Sequence, residues 1–167
     1  MRRIALVAAS AALLLGLAAQ PVAARSGSTI VETAIAVNAQ NGEFSHLIQA
    51  VVRAGLVDTL NGNRQFTVFA PTDAAFERLF TALGVSGVDQ IPVPTLRAVL
   101  LYHVAPGNRD AASVLDSSRI RTLSKGFLVP SVHDGSAWIN GARIVLPDVH
   151  ASNGVIHVID AVLLPPA

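Results

Sequence analysis

The stretch Phe66-Thr67-Val68-Phe69-Ala70-Pro71-Thr72-Asp73-Ala74-Ala75-Phe76 decides how this chain folds. Its first four residues are β-branched or aromatic, the composition of a strand, and Pro71 brings that strand to its end. Thr72 and Asp73 then offer side-chain oxygens to the free N–H groups of a helix start, where a negative Asp73 also suits the helix dipole. Phe76 begins the apolar face of that helix, continued by Leu79, Phe80 and Leu83, with Gly84 after it. A strand thus runs directly into a capped helix. The alternative for Asp73 is an exposed recognition carboxylate, and the cap is the preferred reading.

Upstream of this block the period is helical. Thr29 with Glu32 forms a capping box opening a helix through Ile30, Ala34 and Val37. Phe44, Leu47, Ile48, Val51 and Val52 hold the spacing of one apolar helix face, and Gly55 stands where a C-terminal cap belongs. Downstream, Pro92 and Pro94 lead into a helix that aligns Leu96, Val99, Leu100 and His103, and one or two helical turns are expected over Asp110 to Leu115. The second half changes to short strands, over Phe127 to His133, Ser136 to Ile139 and Ala142 to Leu146. Asp134-Gly135 and Asn140-Gly141 join them, two-residue turns whose twist suits a hairpin. Val155 to Leu164 is apolar on both alternating faces apart from His157 and Asp160, which predicts a central strand. Helices followed by a meander and a closing strand make an α+β domain. No internal repeat or linker divides it.

The first residues predict export. Arg2 and Arg3 precede the apolar run Ile4 to Ala19, Pro21 breaks it, and Val22-Ala23-Ala24 supplies the small residues of a cleavage site. The run is about 16 residues, short of the ~20 of a spanning helix, so residues 1–24 read as a signal peptide rather than an anchor. Residues 25–167 then form a single domain. Removal of Arg2 and Arg3 leaves ten Lys and Arg against eleven Asp and Glu. With neither a basic tract nor a basic amphipathic helix, nothing asks for nucleic acid or an anionic membrane, and Arg119, Arg121 and Lys125 read as a solvated strand face. The chain has no cysteine, which excludes disulfides, thiolate metal sites and a thiol nucleophile. A domain of about 143 residues must draw its stability from its core alone.

Three blocks carry a family resemblance. Phe66 to Phe76 resembles the first signature block of the fasciclin domain, and Asn153-Gly154-Val155-Ile156-His157-Val158-Ile159-Asp160-Ala161-Val162-Leu163-Leu164-Pro165 resembles the second. Leu101-Tyr102-His103-Val104 falls at the family's tyrosine-histidine position, and Gly55 to Leu60 also fits. The resemblance spans Thr29 to Pro165. It implies a compact wedge, a β-sandwich with several helices packed around it. It also implies a secreted, non-enzymatic binding module of cell adhesion or of extracellular surface and matrix contact. An extracellular protein or glycan would be the partner, and the Ala- and Arg-rich composition points to a bacterial source. Some single-domain members carry small apolar ligands, so a carrier of a lipid or carotenoid is the alternative. In some animal members the tyrosine-histidine motif is linked to integrin recognition. Thr72, Asp73, Tyr102 and His103 are accordingly the candidate contact residues. His103 shares a face with Leu96, Val99 and Leu100, so a structural role as a buried, hydrogen-bonded ring is the preferred reading.

A search for chemistry finds little. None of the five histidines forms a ligand pair at helical spacing, and a two-histidine metal site at His150 and His157 would lack further ligands. There is no nucleophile elbow, phosphate loop or dinucleotide pattern. No cofactor, no metal and no catalysis are expected, and the localisation expected is extracellular or periplasmic, with no integral membrane span after cleavage. Mass spectrometry of the exported chain is expected to find its N-terminus at or near Arg25; an intact Met1 in the membrane fraction would contradict this.

Overall fold

The computed structural model describes residues 27–166. The expected export leader, residues 1–24, lies outside them. Six helices occur among the described residues: α1 (Ile30–Asn41), α2 (Ser45–Arg53), α3 (Val57–Leu60), α4 (Asp73–Leu83), α5 (Val93–Tyr102) and α6 (Ala111–Asp116). Eight strands accompany them: β1 (Phe66–Pro71), β2 (Val104–Pro106), β3 (Ile120–Arg121), β4 (Phe127–Leu128), β5 (Pro130–His133), β6 (Ser136–Ile139), β7 (Ala142–Ala151) and β8 (Gly154–Ile159). The fold is α+β. Six strands form one curled sheet in the order β2-β1-β8-β7-β6-β5, and β3 with β4 makes a separate two-stranded ribbon. No helix among the described residues is long and apolar enough to cross a membrane.

The caps fall where the residue types demand. Thr29 and Glu32 close a reciprocal capping box on α1, whose C-terminus is capped by Gly42 in the left-handed conformation. Thr72 Oγ1 accepts from the Ala75 amide at the start of α4, and Asp110 Oδ1 accepts from the Ser113 amide at the start of α6. Both hairpins use the expected turns: Asp134 and Gly135 have φ of 50° and 73°, Asn140 and Gly141 have 46° and 83°. Two positive φ values in succession are the signature of the type I′ turn, which matches the right-handed strand twist.

Strands β1 and β8 are the centre of the domain. They pair in parallel, Phe66 opposite Gly154 through Pro71 opposite Ile159. Every residue of both is buried. Phe66, Val68 and Ala70 of β1, with Ile156 and Val158 of β8, face a core completed by Leu47 and Val51 of α2, Phe76 and Phe80 of α4, and Leu96 and Leu100 of α5. Phe69 and Ile159 face the opposite way. They join Tyr102, Val114, Ile120, Leu128, Ile139, Ala142, Ile144 and Leu163 in a second core enclosed by the curled sheet and the ribbon. Two faces buried at once explain why these strands lack a polar alternation.

Several elements differ from expectation: β7 runs on to Ala151 rather than stopping at Leu146, and β2 over Val104–Pro106 was not expected. The last strand stops at Ile159 rather than Leu164, because the Asp160 carboxylate turns back to accept the Arg143 amide and Arg78 donates to the Asp160 carbonyl. Residues after Asp160 run as an irregular segment. The run Phe127 to His133 is two strands, since Val129 bonds to the Asn140 side chain and backbone and Pro130 has no N–H. The four-residue α3 has no apolar period of its own and went unanticipated.

Gly154 is required by close approach. A Cβ there would lie 1.9 Å from the Phe66 carbonyl oxygen and 2.9 Å from Ile30 Cδ1. The position therefore seats β8 on β1 rather than merely turning the chain. Gly154→Ala is expected to cost about 4 kcal/mol or prevent folding, the scale of the most disruptive core changes. Gly84→Ala, left-handed with nothing within 4 Å of the added methyl, is expected to cost only about 1–2 kcal/mol. Denaturant midpoints of the two variants check the contrast; equal costs would mean that close packing at Gly154 is not what matters.

Candidate functional site

The four residues singled out from the sequence hold the fold together. Thr72 is the N-cap of α4. Asp73 does more than favour its own helix dipole, because its two carboxylate oxygens accept from the amides of Ser45 (3.2 Å) and His46 (2.8 Å). These are free donors in the first turn of α2, whose own N-cap position is Phe44 and carries no side-chain acceptor. The Asp73 amide donates in turn to the Glu43 carbonyl at 2.7 Å. One residue thus fastens the starts of two helices to each other.

Tyr102 is 2% exposed. Its hydroxyl donates to the Phe127 carbonyl (2.9 Å) and accepts from Asn140 Nδ2 (2.8 Å). The ring lies against Gly126, where a Cβ would come within 2.6 Å of Tyr102 Cε2. His103 is 1% exposed. Its Nε2 accepts from the Leu163 amide at 2.9 Å, so the neutral ring carries its hydrogen on Nδ1 and donates it to the Val99 carbonyl at 2.7 Å. Both rings are almost wholly buried. Both stand inside the domain and tie α5 to segments far along the chain.

His157 repeats this device with the other tautomer. Nδ1 accepts from the Asp148 amide (3.2 Å), leaving Nε2–H to donate to the Arg109 carbonyl (2.9 Å). Across from His150 stands Val155, not His157. Among the described residues no group of three or more His, Cys, Asp or Glu is placed to hold a metal ion. Two fasteners were missed from sequence. Asn153 is buried and receives the Ile30 amide on Oδ1 while its Nδ2 donates to the Leu60 and Gly62 carbonyls. Asp148, at φ 58°, accepts the Ala111 amide and so helps start α6. The sequence signal for Asn153 was an Asn before Gly, which is also the signal of an ordinary turn.

Among the concavities of the described residues, two offer a place for a ligand or partner, one by its apolar lining and one by its size. A wholly apolar groove of about 150 Å³ lies between α1, α2, α3 and the sheet, with Ile35 and Val52 exposed at its lining. An open depression of about 570 Å³ is lined by Tyr102, the Asn140-Gly141 turn and the segment from Ala161 to Leu164, where Leu164 is 54% exposed.

Burial pushes the His103 pKa down from 6.5 to about 4, opposed by its bond to Val99, and burial lowers His157 in the same direction. The folded state keeps His103 neutral while the unfolded chain takes up a proton below pH 6.5. Stability is therefore complete above about pH 6.5 and declines as pH falls towards about 4, by on the order of 3 kcal/mol from His103 alone. Urea denaturation between pH 7.5 and 4.5 is expected to show this decline. In His103→Gln the decline is expected to shrink, on a baseline about 1–3 kcal/mol less stable. An unchanged slope in that variant would remove His103 as its source.

Comparison with known proteins agrees with the geometry. The family model described as "Fasciclin domain" matches residues 42–165. "Protein sll1483" of Synechocystis sp. is 44% identical over 145 residues, covering 84% of this chain and 76% of that protein. "Immunogenic protein MPB70" of Mycobacterium bovis is 33% identical over 158 residues, covering 90% and 78%. "Cell surface glycolipoprotein MPB83" of the same species is 38% identical over 114 residues, 67% of this chain and 49% of that one. The solved domain pair from the insect cell adhesion molecule fasciclin I superposes with a TM-score of 0.69 at 20% identity. This chain covers 51% of that pair, with 83% of its own length matched. The chain belongs to the fasciclin domain family.

Proposed function

We propose that this domain is a non-enzymatic binding module that makes contacts of adhesion at a cell surface or in the extracellular matrix, with an extracellular protein or glycan as partner. The observation that carries this reading is what the polar side chains do. Asp73, Tyr102, His103, Asp148, Asn153 and His157 each fasten backbone segments to one another. Such groups are the usual material of a reaction centre, where they would have to face substrate. Here Tyr102, His103, Asn153 and His157 are buried, and the half-buried Asp73 and Asp148 have carboxylate oxygens taken up by backbone amides. Recognition then belongs to the outer surface, and the open depression beside Leu164 is the candidate contact area. Members of the family at bacterial cell surfaces and in an insect adhesion molecule support the same reading.

The carrier reading has one observation in its favour, the wholly apolar lining of the groove between α1 and α2. Its volume of about 150 Å³ is half the lower end of the range usual for small-molecule sites, about 300–1,000 Å³. An apolar ligand would need α1 and α2 to part.

Two exposed substitutions separate the readings. Attachment of cells or matrix to immobilised protein is expected to fall about tenfold in Leu164→Asp with the melting temperature unchanged, the scale of one well-placed contact. Val52→Asp is expected to leave attachment intact. Absorbance and extracted-lipid mass spectrometry of the native protein check the alternative. A stoichiometric apolar molecule that Val52→Asp abolishes, together with attachment indifferent to Leu164, would make the domain a carrier.

A further inference from the structure

Between Asp116 and Asp134 the chain contains no aspartate or glutamate, yet it holds Arg119, Arg121 and Lys125. The β3–β4 ribbon is built from this stretch, and its pairing sorts the side chains by face. Ile120 pairs with Leu128 and both are buried in the second core. Arg121 pairs with Phe127, and both are exposed. Arg119, two residues from Arg121 and about 7 Å along the strand, lies on that same outer face, its guanidinium 4.4 Å from the centre of the Phe127 ring. Lys125 projects at the ribbon's turn in a left-handed conformation, φ 71°. Phe127 is 43% exposed, and Val129 just beyond it is 52% exposed. The ribbon's outer side thus carries three cations and two exposed apolar side chains, and the stretch that builds it supplies no acid.

We propose that this ribbon face docks the domain on an anionic lipid surface. Cations reach phosphate headgroups while Phe127 and Val129 enter the boundary between headgroups and acyl chains, the division of labour of interfacial binding. Chemistry on the ribbon separates this occupant from two others. A glycan asks for free neutral donors and acceptors to meet its hydroxyls. The ribbon's hydroxyls, Thr122 Oγ1 and Ser124 Oγ, are already bonded to each other and to Gly126. A single-stranded nucleic acid asks for an open aromatic face on which to stack a base. Arg119 stands over the Phe127 ring instead. The surface goes beyond the adhesion reading, since it lies on a different element from the depression beside Leu164 and would orient the domain rather than supply its partner.

The test uses the exported chain, compared throughout with its own variants so that any N-terminal contribution is common to all. Co-sedimentation is measured with phosphatidylcholine vesicles and with mixed phosphatidylglycerol–phosphatidylcholine vesicles. Binding is expected to the mixed vesicles alone and to weaken as salt is raised. Arg119→Gln with Arg121→Gln is expected to lower it roughly 20- to 30-fold, at about 1 kcal/mol per cation near an anionic surface. Phe127→Ser is expected to lower it several-fold with less effect on the salt dependence. Melting temperatures confirm that these exposed substitutions leave the fold intact. Equal partition onto both vesicle types, or a double variant that binds as well as the parent, overturns the proposal. Retention on a sulfated polysaccharide or on single-stranded DNA without vesicle binding overturns it too. Attachment through the Leu164 region is read separately and stands or falls alone.

Discussion

The pairing of β1 with β8 is the constraint on which the rest of the domain depends. It joins residues nearly ninety positions apart, leaves no room for a side chain at Gly154, and buries both faces of both strands. Because neither face meets water, each must be covered by something else. The five helices from α1 to α5 cover one, and the curled remainder of the sheet with the ribbon and α6 covers the other. Loss of the pairing would open both cores together, which makes the domain one cooperative unit in spite of its two hydrophobic clusters.

Polar groups set the positions of the surrounding elements relative to this pair. Asp73 binds the start of α2, Asn153 the start of α1, and Asp148 the start of α6. Three helix starts are therefore satisfied from other segments of the chain. A buried amide without such an acceptor costs about 1–3 kcal/mol, so these contacts select one arrangement of helices over near alternatives of equal hydrophobic burial. His103 and His157 act likewise on irregular segments, with opposite tautomers dictated by which nitrogen faces an amide.

Much of this was legible from residues alone. The capping box at Thr29, the alternation-free apolar runs of β1 and β8, and the two Asx-Gly turns depend on neighbours within a few positions, and local chemistry reads them directly. The inward His103 followed from helical spacing. Contacts between distant segments were not legible. Asp73 looked like a simple cap because a sequence shows the helix it begins and not the one lying across its end. Asn153 looked like a turn for the same reason. The end of β8 at Ile159 depends on Asp160 meeting Arg143 across the sheet, and Arg119, Arg121 and Lys125 read as an ordinary solvated strand face until strand pairing sets two of them beside the exposed Phe127. Near-neutral net charge concealed that concentration, because totals carry no information about placement.

The place of β8 in the chain has a consequence for biogenesis. A strand in the interior of the sheet is synthesised after every other described strand of the domain. Until it emerges, β1 has no partner on that side, β7 has none on its own, and both apolar faces lack their floor. An emerging domain of this design stays without its native core until β8 is made, and long-range pairing of this kind is slow to form. Synthesis of the domain and closure of its two cores are therefore separate events, the second waiting on β8.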